Sequence, residues 1–173
     1  MPCPSVVRDA CPEDHSEIWR LFLQGHHENG LFKLAPDKVD WFIHRALHPE
    51  QIPDFDTGAR GTIGVIGPVG SLEGIVFVTI GQFWYSTDHH LEEFIVYVDP
   101  ECRRPPGHVQ ALVNWMKQQS DLTGLPLMTG IMSTQRTEAK CRLYGRMLPK
   151  VGEFFFYGGK GAGTVMSSSA VPA

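Results

Sequence analysis

One stretch, residues 91–123, constrains the fold more than any other part of the 173-residue chain. Residues 94–98 are apolar, and most of them are β-branched or aromatic, which is typical of a strand covered on both faces. The dipeptide Asp99-Pro100 ends this strand. Apolar residues then recur at intervals of three and four residues, namely at Val109, Leu112, Val113 and Met116. This spacing predicts a helix with one buried stripe.

The turn between this strand and this helix has the composition of an anion-binding site. It consists of Arg103, Arg104, Pro105, Pro106, Gly107, His108 and Val109. The first N–H groups of a helix have no partner inside the helix, and they carry the positive end of its dipole. Gly107 leaves room for a phosphate, and the two arginines add positive charge. The turn is therefore predicted to bind a diphosphate, although an ordinary strand-to-helix connection would also account for it.

The composition is that of one globular domain, with 42% hydrophobic and 20% charged residues. The net charge is −4 and the pI is about 6.0, so binding to nucleic acid or to an anionic membrane is not expected. The sequence lacks a membrane-length apolar run and a signal-peptide core, which predicts a cytoplasmic protein. Its four cysteines are widely spaced, and its histidine pairs, His26-His27 and His89-His90, point apart, so no metal site is expected.

Further strands and helices are predicted on both sides of the central stretch. Hydrophobic patterns and turn-forming residues predict strands at residues 5–8, 62–67, 74–85, 125–132 and 151–157, and helices that begin near Pro12, Pro36 and Thr134. Residues 86–90 are predicted to form a polar break before the central strand. The predicted order is β-α-α-β-β-β-α-β-α-β, which is a mixed α/β (α+β) architecture. Residues 160–173 are rich in Gly, Ser and Ala and are expected to form a flexible tail.

Several of these features together resemble the GNAT superfamily of N-acyltransferases. The pattern Val98-x-Pro100 followed by Arg104-x-x-Gly107-x-Val109 is similar to the family's loop for the pyrophosphate of acetyl-CoA. That loop ordinarily ends in Gly or Ala, where this chain has Val109. Two further segments, Val7 to Asp14 and Ala139 to Tyr144, also resemble family segments, as does the order of elements. The resemblance covers residues 5–157 and implies a single GNAT domain over residues 1–159.

The resemblance implies transfer of an acetyl group from acetyl-CoA to a primary amine of a small molecule or protein. In this family a β-bulge separates the central strand from its neighbour, so that the pantetheine arm pairs with backbone, here at Val96, Tyr97 and Val98. The pyrophosphate is then expected to bind the turn at Arg103, Arg104, Pro106, Gly107, His108 and Val109. The placement of the reactants next to each other supplies most of the acceleration.

Two residues are candidates for moving protons in this reaction. An attacking amine must be neutral, so a carboxylate is the natural base, and Glu92 and Glu93 lie at the entry of the central strand. Successive side chains of a strand point to opposite faces, so only one of the two can face the acceptor. We assign Glu92 as the base. The alternative is that both glutamates are simply solvated at the entry of the strand. Tyr144 matches the family tyrosine that acts as acid for the CoA thiolate, with a packing role as the alternative.

Other functions and roles remain open at this stage. Because of Val109, the chain is also consistent with a catalytically degenerate GNAT-like module that binds or inhibits a protein. A third reading is a different α/β domain that binds a nucleotide at the same turn.

The chain also resembles small acetyltransferase-like proteins of bacteriophages, which implies a location in the host cytoplasm and a host protein as target. Two roles are open for the aromatic residues Phe83, Trp84 and Tyr85, which either line an acceptor cleft or pack at the sheet edge. The chain is expected to be a monomer or a homodimer.

Overall fold

The computed structural model combines strands and helices and describes residues 6–52, 60–104, 107–133 and 136–155. In these residues the elements are β1 (Val7–Asp9), α1 (His15–Asn29), α2 (Pro36–Leu47), β2 (Gly61–Ile66), β3 (Gly74–Gln82), β4 (His89–Val98), α3 (His108–Thr123), β5 (Leu127–Met128) and α4 (Thr137–Gly145). A short 3-10 turn, Pro12–Asp14, leads into α1. The predicted order of elements is confirmed from β1 to α4.

The strands form one mixed sheet in the order β1-β2-β3-β4-β5. Every neighbouring pair is antiparallel except the last, because β5 runs parallel to β4 after the crossover through α3. The β4-α3 part of this unit is the central stretch, residues 91–123, that the sequence analysis identified, and the mixed sheet confirms the predicted mixed α/β class.

Helices cover the two faces of the sheet. On one face, Ile18 and Leu21 of α1 and Ile43 and Leu47 of α2 form a buried cluster with residues from three strands, which are Ile63, Val65, Ile75, Phe77 and Tyr97. On the other face, α3 contributes the fully buried side chains Leu112, Val113 and Met116. Val76 and Val78 alternate with Ile75 and Phe77 along β3, so they point to the α3 side, and both have 0% exposure. The sheet is therefore covered on both faces, as predicted for its central strand.

The strands β3 and β4 have other bounds in the structure than in the prediction. β3 ends at Gln82, so Phe83, Trp84 and Tyr85 lie in a loop, and β4 begins at His89, inside the predicted polar break. His89 and His90 pair with Gln82 and Gly81 by backbone hydrogen bonding, which the polarity of their side chains does not prevent.

The prediction of a strand at residues 125–132 is correct only for Leu127–Met128, which is the length of the ladder that β5 makes with β4. The predicted strand at 151–157 is absent from residues 151–155, and Val151, Phe154 and Phe155 are at least 80% exposed. Apolar character alone does not form a strand, because each strand also needs a hydrogen-bonding neighbour. Residues 156–157 and the expected tail at 160–173 lie outside the described residues.

The chain divides into two compact units. The first contains the described residues of Met1–Gly25 and Ala35–Gly130, and with them the whole sheet, α2 and α3. The second contains the described residues of His26–Leu34 and Ile131–Ala173, including α4. None of the described helices combines the length and the apolar character required to cross a membrane.

Candidate functional site

The central strand β4 contains a β-bulge at Phe94. Phe77 of β3 pairs with Ile95, but the next residue, Val78, pairs with Glu93. Phe94 therefore has no pairing partner in β3. A bulge of this kind bends its strand and locally disrupts pairing. The predicted bulge in the central strand is therefore confirmed.

Beyond the bulge, β4 parts from β5. The two strands pair only at Leu91 with Leu127 and at Glu92 with Met128, whereas β4 stays paired with β3 as far as Val98. The backbone of Val96, Tyr97 and Val98 thus belongs to the part of β4 that has no ladder with β5. This is the stretch that was predicted to pair with the pantetheine arm.

The predicted diphosphate turn leads from β4 into α3. Gly107 is the N-cap residue of α3 and has φ 146°, a conformation that favours glycine. His108 and Val109 are the first two residues of α3, so their N–H groups belong to the free end of the helix. Arg104 is exposed, and no described residue forms a hydrogen bond or ion pair with its side chain. Pro105 and Pro106 lie outside the described residues.

Arg103 has a different position from Arg104. Its Nε donates a hydrogen bond to the carbonyl oxygen of Val98 at 3.1 Å, and its guanidinium carbon lies 5.4 Å from the centroid of the Tyr97 ring. Both contacts tie the turn back to the end of β4. Of the two predicted arginines, Arg104 is therefore the one whose charge is presented to solvent.

His108 pairs with a carboxylate from another loop. Its Nε2 lies 2.7 Å from Oε2 of Glu73, which precedes β3, and the His108 side chain is only 14% exposed. The backbone of Glu73 is also part of this contact region, because its carbonyl accepts a hydrogen bond from the Asp99 N–H at 2.8 Å. The start of α3 and the end of β4 are thus both attached to the β2–β3 connection.

A second ionic network holds α1 against the end of β4. Arg20 donates to Glu17 Oε2 at 2.9 Å, to Asp99 Oδ2 at 2.8 Å and to the Leu72 carbonyl at 2.9 Å. Hydrogen bonds from Arg20 lower the pKa of Glu17. Burial would raise the pKa of Asp99, but the hydrogen bonds from Arg20 and from the Glu101 N–H outweigh it and lower that pKa. Sequence patterns do not indicate this network, because its members are up to 79 residues apart.

The two candidate bases at the entry of β4 lie on opposite faces of the sheet. Glu92 pairs with Thr79, and cross-strand partners share a face, so Glu92 points to the side of α1 and α2 and is exposed. Glu93 pairs with Val78, on the α3 side, and accepts a hydrogen bond from Thr129 Oγ1. The structure therefore separates the two carboxylates as strand alternation requires.

His90 joins Glu92 on the same face, which the sequence analysis did not foresee. A Cβ atom built on Gly81 would lie 3.1 Å from Glu92 Oε2 and 3.1 Å from His90 Nε2. Gly81 therefore provides the space over which both side chains lie. His90 is 8% exposed, and its ring stacks on Phe83 with centroids 4.9 Å apart. The spacing of two residues between His90 and Glu92 on one strand is the signal that would have indicated this pair.

Tyr144, the predicted acid, belongs to the second unit. It lies near the end of α4 and is partly buried, and its carbonyl accepts hydrogen bonds from the N–H groups of Met147 and Leu148 at 2.9 Å. In the same unit, Lys140 Nζ donates to Asn29 Oδ1 at 2.6 Å and to Ser133 Oγ at 2.7 Å. These contacts connect the beginning of α4 to the end of α1.

Comparisons with known proteins identify the fold. No protein-family model matches the sequence, and no curated protein matches it. Among solved structures, a possible acetyltransferase from Clostridium difficile 630 is similar, with a TM-score of 0.62 and 17% identity over 89% of this chain and 96% of that chain. AAC(6')-Iy, in complex with the bisubstrate analog CoA-S-monomethyl-acetylneamine, has a TM-score of 0.64 and 13% identity, covering 91% and 99%.

A ribosomal-protein-alanine N-acetyltransferase from Brucella melitensis biovar Abortus 2308 is also similar, with a TM-score of 0.56 and 15% identity over 88% of this chain and 98% of that chain. Identities this low establish the fold and nothing finer. The chain therefore has the GNAT acetyltransferase fold that the resemblance implied.

Proposed function

We propose that this protein is an N-acetyltransferase that transfers an acetyl group from acetyl-CoA to a primary amine of a small molecule or protein. One observation carries the proposal: β4 bulges at Phe94, parts from β5, and runs directly into an α3 that begins at Gly107. This arrangement offers backbone groups for an extended arm and a helix N-terminus for a diphosphate at its end.

Acetyl-CoA fits the residues that are present. The φ of 146° at Gly107 and the exposed Arg104 suit a diphosphate, and Val96 to Val98 provide strand backbone toward β5. The Val98 carbonyl already accepts from Arg103, so the proposed pairing with the pantetheine amides relies chiefly on Val96 and Tyr97. The thioester would then lie toward the bulge, near the entry of β4 where Glu92 is located.

The proposed chemistry requires two proton movements. Glu92 accepts a proton from the acceptor's ammonium, directly or through a water, which frees the nitrogen lone pair for attack on the thioester carbon. A C–N bond forms and the C–S bond breaks, so CoA leaves as a thiolate. The second proton of the nitrogen passes to solvent. Tyr144 is the proposed donor of a proton to the thiolate, and its phenolate regains a proton from solvent.

The role of Tyr144 can be separated from binding. Tyr144→Phe removes the phenol proton and is expected to lower kcat about tenfold while the affinity for acetyl-CoA stays the same, because the proton is needed only in the transition state. Steady-state kinetics and calorimetric titration measure the two quantities. An unchanged kcat with a rate-limiting chemical step would exclude Tyr144 as the acid.

Calorimetric titration with acetyl-CoA and with CoA tests the proposal as a whole. The wild type is expected to bind both, and Arg104→Glu is expected to weaken binding about tenfold, because it reverses a charge beside the diphosphate. Lys117→Glu is the matched control: it makes the same change in net charge on an exposed position in the middle of α3. No binding by the wild type at millimolar acetyl-CoA would exclude the enzyme.

A second candidate function follows from Val109. This residue occupies the first turn of α3, where the family loop has Gly or Ala, and its side chain is partly exposed. If it prevents the diphosphate from approaching the helix, the protein is a GNAT-fold binding or inhibitory module. The bacteriophage resemblance, with a host protein as target, stays a prediction from the sequence under either function. Val109→Ala would restore acetyl-CoA binding in a degenerate module and change it little in an active enzyme.

A further inference from the structure

Three aromatic side chains lie exposed in the loop between β3 and β4. Trp84 is 95% exposed, Tyr85 68% and Phe83 40%. We call these three residues the aromatic rim. Scattered apolar residues are normal on a protein surface, but three consecutive aromatic residues in one short loop form a contiguous apolar patch, and such patches mark binding sites.

The loop that carries the aromatic rim is held by its own hydrogen bonds. Gln82 Nε2 donates to the Thr87 carbonyl at 2.7 Å, and the Ser86 N–H donates to the Phe83 carbonyl at 3.1 Å. The Asp88 N–H donates to Ser86 Oγ at 3.0 Å. The loop therefore has a defined conformation, and this conformation directs the Trp84 ring to solvent.

The aromatic rim is continuous with the proposed base. Tyr85 stacks on Phe83 at 5.3 Å between centroids, and Phe83 stacks on His90 at 4.9 Å. His90 and the Glu92 carboxylate share the space above Gly81, each 3.1 Å from the position of its missing Cβ. A stack of rings thus leads from the Glu92 carboxylate to the exposed part of the rim, and Trp84 adds an edge contact on Tyr85 at 5.6 Å.

The negative charge of this region favours the binding of a positively charged ligand. Residues 61–102 contain no lysine and no arginine, but they contain six carboxylates. Two of these, Asp88 and Glu92, are exposed and lie in the loop of the aromatic rim and beside it. A ligand that carries a positive charge is attracted here, and one that also carries a flat ring gains stacking and cation–π contacts.

We infer that the aromatic rim and Glu92 together bind the acceptor, and that the acceptor is a primary amine joined by a short chain to an aromatic ring. This inference rests on the proposed function, because it assigns the substrate class of the same site. The ring lies against Trp84 and Tyr85, and the ammonium lies toward Glu92. Glu92 takes one proton of the ammonium, the nitrogen forms the new amide bond as the C–S bond of acetyl-CoA breaks, and the second nitrogen proton leaves to solvent.

A matched pair of amines tests the inference. The probes are 2-phenylethylamine and 2-cyclohexylethylamine, which share the amine and the two-carbon chain but differ in the flat ring. With acetyl-CoA present, kcat/KM measured by release of the CoA thiol is expected to be about tenfold higher for 2-phenylethylamine. Trp84→Ala is expected to remove this preference, and Trp84→Phe to keep most of it. Leu122→Ala, at a 79% exposed position on α3, is the control and is expected to leave the preference unchanged.

The outcomes separate this inference from the proposed function. If both amines are acetylated equally and Trp84→Ala has no effect, the inference is wrong while the acetyltransferase stands. If acetyl-CoA neither binds nor reacts, the proposed function is wrong, and calorimetric titration with 2-phenylethylamine alone decides whether the rim binds arylalkylamines. If Trp84→Ala instead turns a dimer into a monomer in sedimentation and leaves amine selectivity intact, the rim contacts a second copy and the inference is overturned.

Discussion

The two ends of β4 are built in opposite ways. At its C-terminal end, polar groups are joined to partners: Arg103 holds the Val98 carbonyl, Arg20 holds Asp99, and His108 holds Glu73. At its N-terminal end, the Glu92 carboxylate is exposed and the neighbouring loop presents Trp84 to solvent. The first end is braced by hydrogen bonds from polar and charged side chains, whereas the second exposes a carboxylate and aromatic rings.

This difference matches the two reactants of the proposed reaction. Acetyl-CoA is one fixed molecule, so a rigid turn that is preorganised by ion pairs reduces the entropy lost when it binds. The acceptor is proposed to bind at a surface loop, and surface loops change more readily than braced turns. The braced end is therefore expected to control stability and cofactor affinity, and the exposed end to control acceptor choice and proton transfer.

The largest effect is expected from the carboxylate at the exposed end. Glu92→Gln removes the proposed base and is expected to lower kcat/KM about a hundredfold near pH 6. The loss should shrink as the pH rises toward the amine pKa of about 10.4, because the amine then deprotonates without help. Glu93→Gln is the matched control on the opposite face, and its pH profile should follow the wild type. Interchanged profiles would assign the base to Glu93, and two wild-type profiles would exclude both carboxylates.

A smaller effect, on stability and not on proton transfer, is expected at the braced end. Arg20→Met keeps an unbranched apolar stem but removes the donors to Glu17, Asp99 and the Leu72 carbonyl, and should lower the free energy of unfolding by about 2 kcal/mol. Trp84→Ala, at the exposed end, should change it by less than about 0.5 kcal/mol. Urea denaturation of the three proteins measures both values. Equal losses in the two variants would show that the ends do not differ as described.

The smallest effect is expected from acidification. Glu17 and Asp99 have lowered pKa values in the folded protein, so their contribution is fully present above the unfolded-state pKa values, about 4.3 and 3.9. It is lost as the pH falls through the folded values. The free energy of unfolding should therefore fall more steeply below about pH 4.5 in the wild type than in Arg20→Met, which lacks the cause of the shifts. Parallel pH profiles of the two proteins would contradict this origin of the acid sensitivity.

Local patterns predicted much of the fold and one side of the site. The strand–turn–helix from β4 to α3 was predictable because apolar periodicity and Gly107 act over a few residues. The network of Arg20, Glu17 and Asp99 was not, because it depends on contacts between segments that only the folded sheet brings together. The same holds for Gly81, whose role follows from its cross-strand partner His90 and from Glu92. The predicted strand at 151–157 failed in its described part for the converse reason, since none of the described strands pairs with residues 151–155.

The bulge residue Phe94 determines which side chains of β4 face each side of the sheet. Before it, the even-numbered residues His90 and Glu92 face α1 and α2; after it, odd-numbered residues such as Tyr97 do so. If Phe94 occupied a regular position in the ladder, the residues before it would change faces, because the buried Tyr97 fixes the second half of the strand. Glu93 would then take the place of Glu92. The bulge thus determines which carboxylate faces the proposed acceptor site, so an alternation pattern counted through Phe94 as a regular strand residue would assign the reaction to the wrong glutamate.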